Sequence, residues 1–128
     1  MDMEEIRKKH NLLLILMHGS QISGKTHFES DTDIAFVRKS TNLNINFLEL
    51  LADITNLLKK NKVDLVDITH ANPLLMFAVT SKSKLLAGNQ KDYDALFHKA
   101  YNLYSDYLPY LKMEADFVKE RINNYANN

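Results

Sequence analysis

The chain has 128 residues, 45% hydrophobic and 25% charged, with 16 basic side chains balanced by 16 acidic ones and no cysteine. That length suits a single soluble domain, and the balanced charge argues against a strong nonspecific pull toward nucleic acid or anionic membrane. The lack of cysteine excludes disulfides and thiolate metal sites and fits a reducing compartment.

Residues 3–10, MEEIRKKH, put acids first and bases last, as the helix dipole favours, and predict a helix. Leu12 to Met17 form an unbroken apolar run that ends at Gly19, the pattern of a strand buried on both faces. The run is too short for a membrane span, which needs about 20 residues, and no small-residue cleavage site follows it. A cytoplasmic protein with no membrane association is therefore expected. DIAFV, Asp33 to Val37, predicts a second strand. Asn44 to Lys60 follows with Ile45, Leu48, Leu51 and Leu58 at helical spacing, an amphipathic helix. KVDLVDIT, Lys62 to Thr69, is β-branched and apolar apart from two aspartates, and predicts a third strand.

NPLLMFAVT carries Pro73 at a position suited to the first turn of a short helix. SKLLAGN predicts a short edge strand with a turn at Gly88-Asn89. From Lys91 to about Asn124 the pattern is helical again, with a bend expected at Pro109, which has no amide hydrogen. All six tyrosines lie in this last segment. One stripe runs through Phe97, Tyr101, Tyr104, Leu108 and Leu111; beside it run Leu96, Ala100, Leu103, Tyr107 and Tyr110. The expected architecture is one α/β domain over residues 1–128, a core of about 1–90 with a helical extension of about 91–125.

The stretch HGSQISGKTHFESDTDIAFV fits two phosphate-handling patterns. Gly19 to Thr26, GSQISGKT, satisfies the P-loop formula. A P-loop, however, continues into a helix that crosses back over the sheet, and such a crossover takes about a dozen residues or more. Only HFESD follows Thr26 before the next apolar strand, so the P-loop reading fails. The second pattern is G-S-x10-D-x-D, from Gly19-Ser20 to Asp31 and Asp33. Gly19 lets the backbone approach a ligand, while the Ser20 hydroxyl and nearby amides, opening a short helix through about Thr26, can hold phosphate oxygens. Alternate residues of a strand share one face, about 6–7 Å apart, so Asp31 and Asp33 can hold divalent metal between them. Without a cation they would be ordinary turn residues before a strand.

Gly19-Ser20, Gly24, Ser30-Asp31-Thr32-Asp33 and the strand VDLVDI together resemble the nucleotidyltransferase superfamily that includes DNA polymerase beta, in particular its minimal nucleotidyltransferase (MNT) branch. The resemblance runs from Leu12 to the terminal helix. It implies a small mixed-sheet core and Mg2+-dependent transfer of a nucleotide from ATP, with two ions engaged during turnover. Asp31, Asp33 and Asp64 would be the catalytic and metal-binding carboxylates; Gly19, Ser20, Ser30 and Lys25 would contact the nucleotide. Asp64 and Asp67, three apart, point to opposite faces of a regular strand, and the resemblance selects Asp64, leaving Asp67 to cap the following helix or face solvent. The chain departs from the branch at Gln21 and Ser23, where arginines are usual; Lys25 either supplies part of that charge or is a solvated surface lysine. His18 and His70 read as structural or peripheral.

Stand-alone members of the branch resemble antitoxins of HEPN/MNT toxin–antitoxin systems, which transfer AMP to a tyrosine of a helical HEPN-family RNase toxin. The resemblance implies such a partner, reached through the C-terminal helix, and no direct nucleic-acid binding. The two stripes of that helix serve either the chain's own core or the partner. Two other functions remain open: an antitoxin that acts by binding alone, and a transferase for a small hydroxylated acceptor such as an aminoglycoside.

Overall fold

The N-terminal helix α1, Met3–Lys9, begins where the Asp2 side chain accepts the Glu5 amide at 2.8 Å, satisfying a donor the helix itself leaves free. The structure, a computed structural model, describes residues 1–19, 32–42 and 44–126. After α1 come β1 (Leu12–His18), β2 (Thr32–Arg38), α2 (Phe47–Leu58), β3 (Val63–Asp67), α3 (Pro73–Ser81), β4 (Ser83–Ala87) and α4 (Gln90–Ala126).

The strands form a mixed sheet in the order β3-β2-β1-β4, with β1 antiparallel to both β2 and β4, and β2 parallel to β3. A register shift between Leu12 and Leu14 turns the start of β1 over. Leu12 and Ile15 therefore face one side, with Ile34, Phe36 and Leu65, where Ile6 of α1 and Leu50 and Ile54 of α2 close over them. Leu14, Leu16, Ala35 and Val37 face the other side, against Val79 of α3 and Leu96 of α4. Both faces are thus apolar, as the unbroken run in β1 requires.

Local chemistry sets the element ends. Helix α2 starts at Phe47, later than the periodicity from Asn44 suggests, because Asn46 accepts the Glu49 amide as an N-cap. Helix α3 is capped by Asn72, which accepts the Leu75 amide at 2.9 Å, and has Pro73 in its first turn. Asp67 is therefore not its cap. Helix α4 runs through Pro109 as one element of 37 residues, about 55 Å long. Its inward face draws on both predicted stripes: Ala100 and Leu96 from one, Tyr104 from the other, the last stacked on Phe77 of α3. Among the described residues no helix is long and apolar enough to cross a membrane.

Candidate active site at the polar end of the sheet

Directly paired residues of a sheet point to the same face. The register pairs Leu16 with Ala35 and with Leu85, and Ala35 with Val66, an apolar row under α3 and α4. Two residues further along each strand the same row becomes Ser83, His18, Asp33 and Asp64. The core ends there, and polar side chains replace aliphatic ones on one face of four consecutive strands.

Asp33 and Asp64 are direct partners across β2 and β3. Adjacent strands lie about 4.8 Å apart, so the two carboxylates start side by side. Asp33 is half-buried and Asp64 is exposed. Like charges at this spacing repel one another unless a cation intervenes. The pair therefore fits a divalent cation in the donor chemistry that Mg2+ prefers, carboxylate oxygen. Among the described residues no third acid or histidine completes a cation site.

Gly19 has φ +91°, a conformation that disfavours any residue with a Cβ. An added Cβ there would lie 2.5 Å from Asp33 Oδ2. The backbone approach that the sequence suggests for a ligand is thus also made by the Asp33 carboxylate, which rests against the Gly19 Cα. The Gly19 amide donates to the Lys82 carbonyl at 3.3 Å, tying the turn to the start of β4.

His18, read from sequence as structural or peripheral, pairs with Asp33 in register. Burial pushes its pKa below the ordinary value of 6.5, against the pull of the Asp33 and Asp64 carboxylates. The imidazole is therefore uncharged at neutral pH and does not form an ion pair with Asp33. Its Nε2 is buried without a hydrogen-bond partner among the described residues. The signal that could have found it is alternation: His18 continues the face of Leu14 and Leu16. His70, by contrast, is exposed beyond the end of β3.

At the other end of the row, the Ser83 hydroxyl donates to the Thr80 carbonyl at 2.7 Å, and the Tyr93 hydroxyl lies 2.6 Å from Ser83 Oγ. The first turn of α4 is pinned to the site by this contact. Asp67 lies on the opposite face, with Leu65. Its carboxylate accepts from the Thr69 amide at 2.9 Å and the Thr69 hydroxyl at 2.5 Å. It also lies 2.9 Å from Arg38 Nε, at ion-pair distance though without hydrogen-bond alignment. Asp67 is thus engaged within the fold, neither capping a helix nor simply facing solvent. Ser20, Lys25, Ser30 and Asp31, with Gln21 and Ser23, lie outside the described residues.

Residues 2–92 match the family model described as Polymerase beta, Nucleotidyltransferase. The chain is 36% identical over 93 residues to a protein adenylyltransferase MntA of Shewanella oneidensis, a match spanning 73% of this chain and 66%, just under two thirds, of that protein. Among solved structures, a chain from a toxin–antitoxin crystallised with AMP-PNP matches at a TM-score of 0.73 and 30% identity, over 90% of this chain and 94% of that one. A chain from the complex of tri-AMPylated Shewanella oneidensis HEPN toxin with MNT antitoxin matches at a TM-score of 0.67 and 27% identity, over 90% and 91%.

Proposed function

This chain belongs to the polymerase beta nucleotidyltransferase family, and we propose that it is an antitoxin that transfers AMP from ATP to a tyrosine hydroxyl of a HEPN-family RNase toxin. The observation that carries the reading is the side-by-side placement of Asp33 and Asp64, on the face and at the end of the sheet where the apolar core stops. The relatives support the partner and the nucleotide: one is a protein adenylyltransferase, and others come from toxin–antitoxin complexes, one with AMP-PNP and one with an AMPylated toxin.

In this reading Asp33 and Asp64, with Asp31, would hold one or two Mg2+ ions, and bound Mg2+ neutralises charge on the α-phosphoryl group and the departing pyrophosphate. Gly19 keeps the Asp33 carboxylate at the turn, and Ser20, Ser30 and Lys25 contact the phosphates. Asp64, the exposed member of the pair, accepts the phenolic proton as the tyrosine oxygen attacks the α-phosphorus in line. The bond from that phosphorus to the oxygen bridging to the β-phosphate breaks, and pyrophosphate leaves. Positioning and electrostatics supply the rate enhancement. Such a protein works in the cytoplasm, where ATP and a toxin made by the same cell are both present.

A second reading, inhibition by binding alone, is favoured by Gln21 and Ser23, which lack the bidentate phosphate grip of arginine. One experiment separates the readings. The chain is incubated with ATP, Mg2+ and its cognate HEPN-family toxin, and the toxin is examined by mass spectrometry and RNase assay. An adenylate on a toxin tyrosine, lost in Asp33→Asn, supports transfer; inhibition that persists in Asp33→Asn without any mass gain supports binding alone.

A further inference from the structure

The four-three spacing of Phe97, Tyr101, Tyr104, Leu108 and Leu111 does not stop where the core does. Ala115, Val118, Ile122 and Tyr125 continue it to the end of α4. An apolar repeat of this period sustained over about four heptads is the seam of a helix that packs lengthwise against another helix. Within the chain the seam is covered only in part and only in its first half: Tyr104 stacks on Phe77 of α3 with ring centroids 4.2 Å apart, while Tyr101, at 6.4 Å from the same ring, stays 52% exposed. Further along, Val118 is 48% exposed, Ile122 62% and Tyr125 87%. Leu111, Ala115, Val118 and Ile122 line an apolar trough with Glu114 and Lys119 at its rims. Ala115 forms a notch in it that a facing side chain can fill.

We propose that the distal seam, residues 108–125, is the docking site for a helix of the toxin, an inference that rests on the partner named above. The likeness to chains crystallised in toxin–antitoxin complexes covers 90% of this chain, well past residue 92 and into α4. The seam is poorly built for a second copy of itself. Self-pairing of two helices favours Ile or Val at one seam position and Leu at the other; here one position reads Leu108, Ala115, Ile122 and the other Leu111, Val118, Tyr125. Ala115 against its own copy would leave a void rather than a filled hole. The flanking positions carry Lys112, Lys119 and Arg121 against Glu114, so the matching helix presents an apolar seam with acidic flanks.

The test measures affinity for the cognate HEPN-family toxin by calorimetry. Wild type is compared with Val118→Asp/Ile122→Asp and with a control pair on the far side of α4, Met113→Asp/Phe117→Asp. All four positions are exposed, so both variants should fold, which circular dichroism checks. The seam pair should bind the toxin at least about 100-fold more weakly, a loss of the size seen when interface hot spots are removed. The control should stay within about threefold, and ATP binding should be unchanged in both. Wild-type affinity in the seam pair overturns the proposal, as does a wild type that does not bind the toxin. So does light scattering that shows a dimer of the free chain, split by the seam pair, with toxin affinity intact. A wild type that binds through the seam yet transfers no AMP supports this inference and sinks the catalytic reading instead.

Discussion

Asp64 and Asp67 stand three residues apart on β3, and strand alternation sends them to opposite faces of the sheet. Toward α1 and α2, Asp67 is engaged by Arg38 and by the amide and hydroxyl of Thr69. Toward α3 and α4, Asp64 is exposed beside Asp33 and has no ion-pair partner among the described residues. The same side chain on the same strand thus serves folding on one face and is available to a ligand on the other. What separates the two is where each core ends: Arg38 closes the first face, while on the second the aliphatic row gives way to acids.

The comparison breaks most visibly under substitution. Asp64→Asn or Asp33→Asn should lower AMP transfer by at least about 100-fold, the scale of losing one electrostatic stabiliser of a transition state. Asp64→Asn should not lower the melting temperature, since Asp64 is exposed and its loss removes like-charge repulsion beside Asp33; radiolabel transfer and calorimetric melting check both halves. Gly19→Ala comes next. A Cβ 2.5 Å from Asp33 Oδ2 displaces that carboxylate, and misplacing a reacting group by about 1 Å can cost about 100-fold in rate. The positive φ adds about 1 kcal/mol of destabilisation, read as a lower denaturant midpoint.

Asp67→Ala should behave in the opposite way. It forfeits partly exposed charged contacts worth about 1 kcal/mol together, measured by urea unfolding, while the transfer rate of the folded protein stays within about threefold of wild type. The smallest effect is again on the α1/α2 face. The hydrogen bond from His10 Nε2, at 2.7 Å, and then Lys9 at 2.9 Å hold the Asp53 carboxyl below the usual carboxylate range. A pKa lowered by folding adds stability above the unfolded value near 3.8, and that stability is lost as pH falls through the folded value. The advantage of wild type over Asp53→Asn should therefore be constant at neutral pH and shrink below about pH 3.8, as unfolding titrations across that window would show.

The elements themselves were legible because each carries a local signal: the apolar run of β1, the periodicity of α2, the proline of α3. Boundaries drifted where a side chain ended an element. The β-branched run extends to Thr69, but the Asp67 carboxylate captures its amide and the strand stops two residues earlier. The spacing of Asp64 and Asp67 already required opposite faces. Which face carried the site depended on the pairing of β3 with β2, a long-range fact. His18 was missed for the same reason, since its neighbour Asp33 lies 15 residues away in sequence. In α4 the two stripes were visible, but only packing against Phe77 shows which residues of each turn inward.

Mass spectrometry of the cognate toxin after incubation with ATP and Mg2+, using wild type, Asp64→Asn and Asp67→Asn in parallel, tests the central claim most directly. Wild type and Asp67→Asn should place adenylate on a toxin tyrosine at similar rates, and Asp64→Asn should leave the toxin unmodified. Modification by Asp64→Asn at the wild-type rate, or its loss only in Asp67→Asn, would contradict the assignment of the two faces.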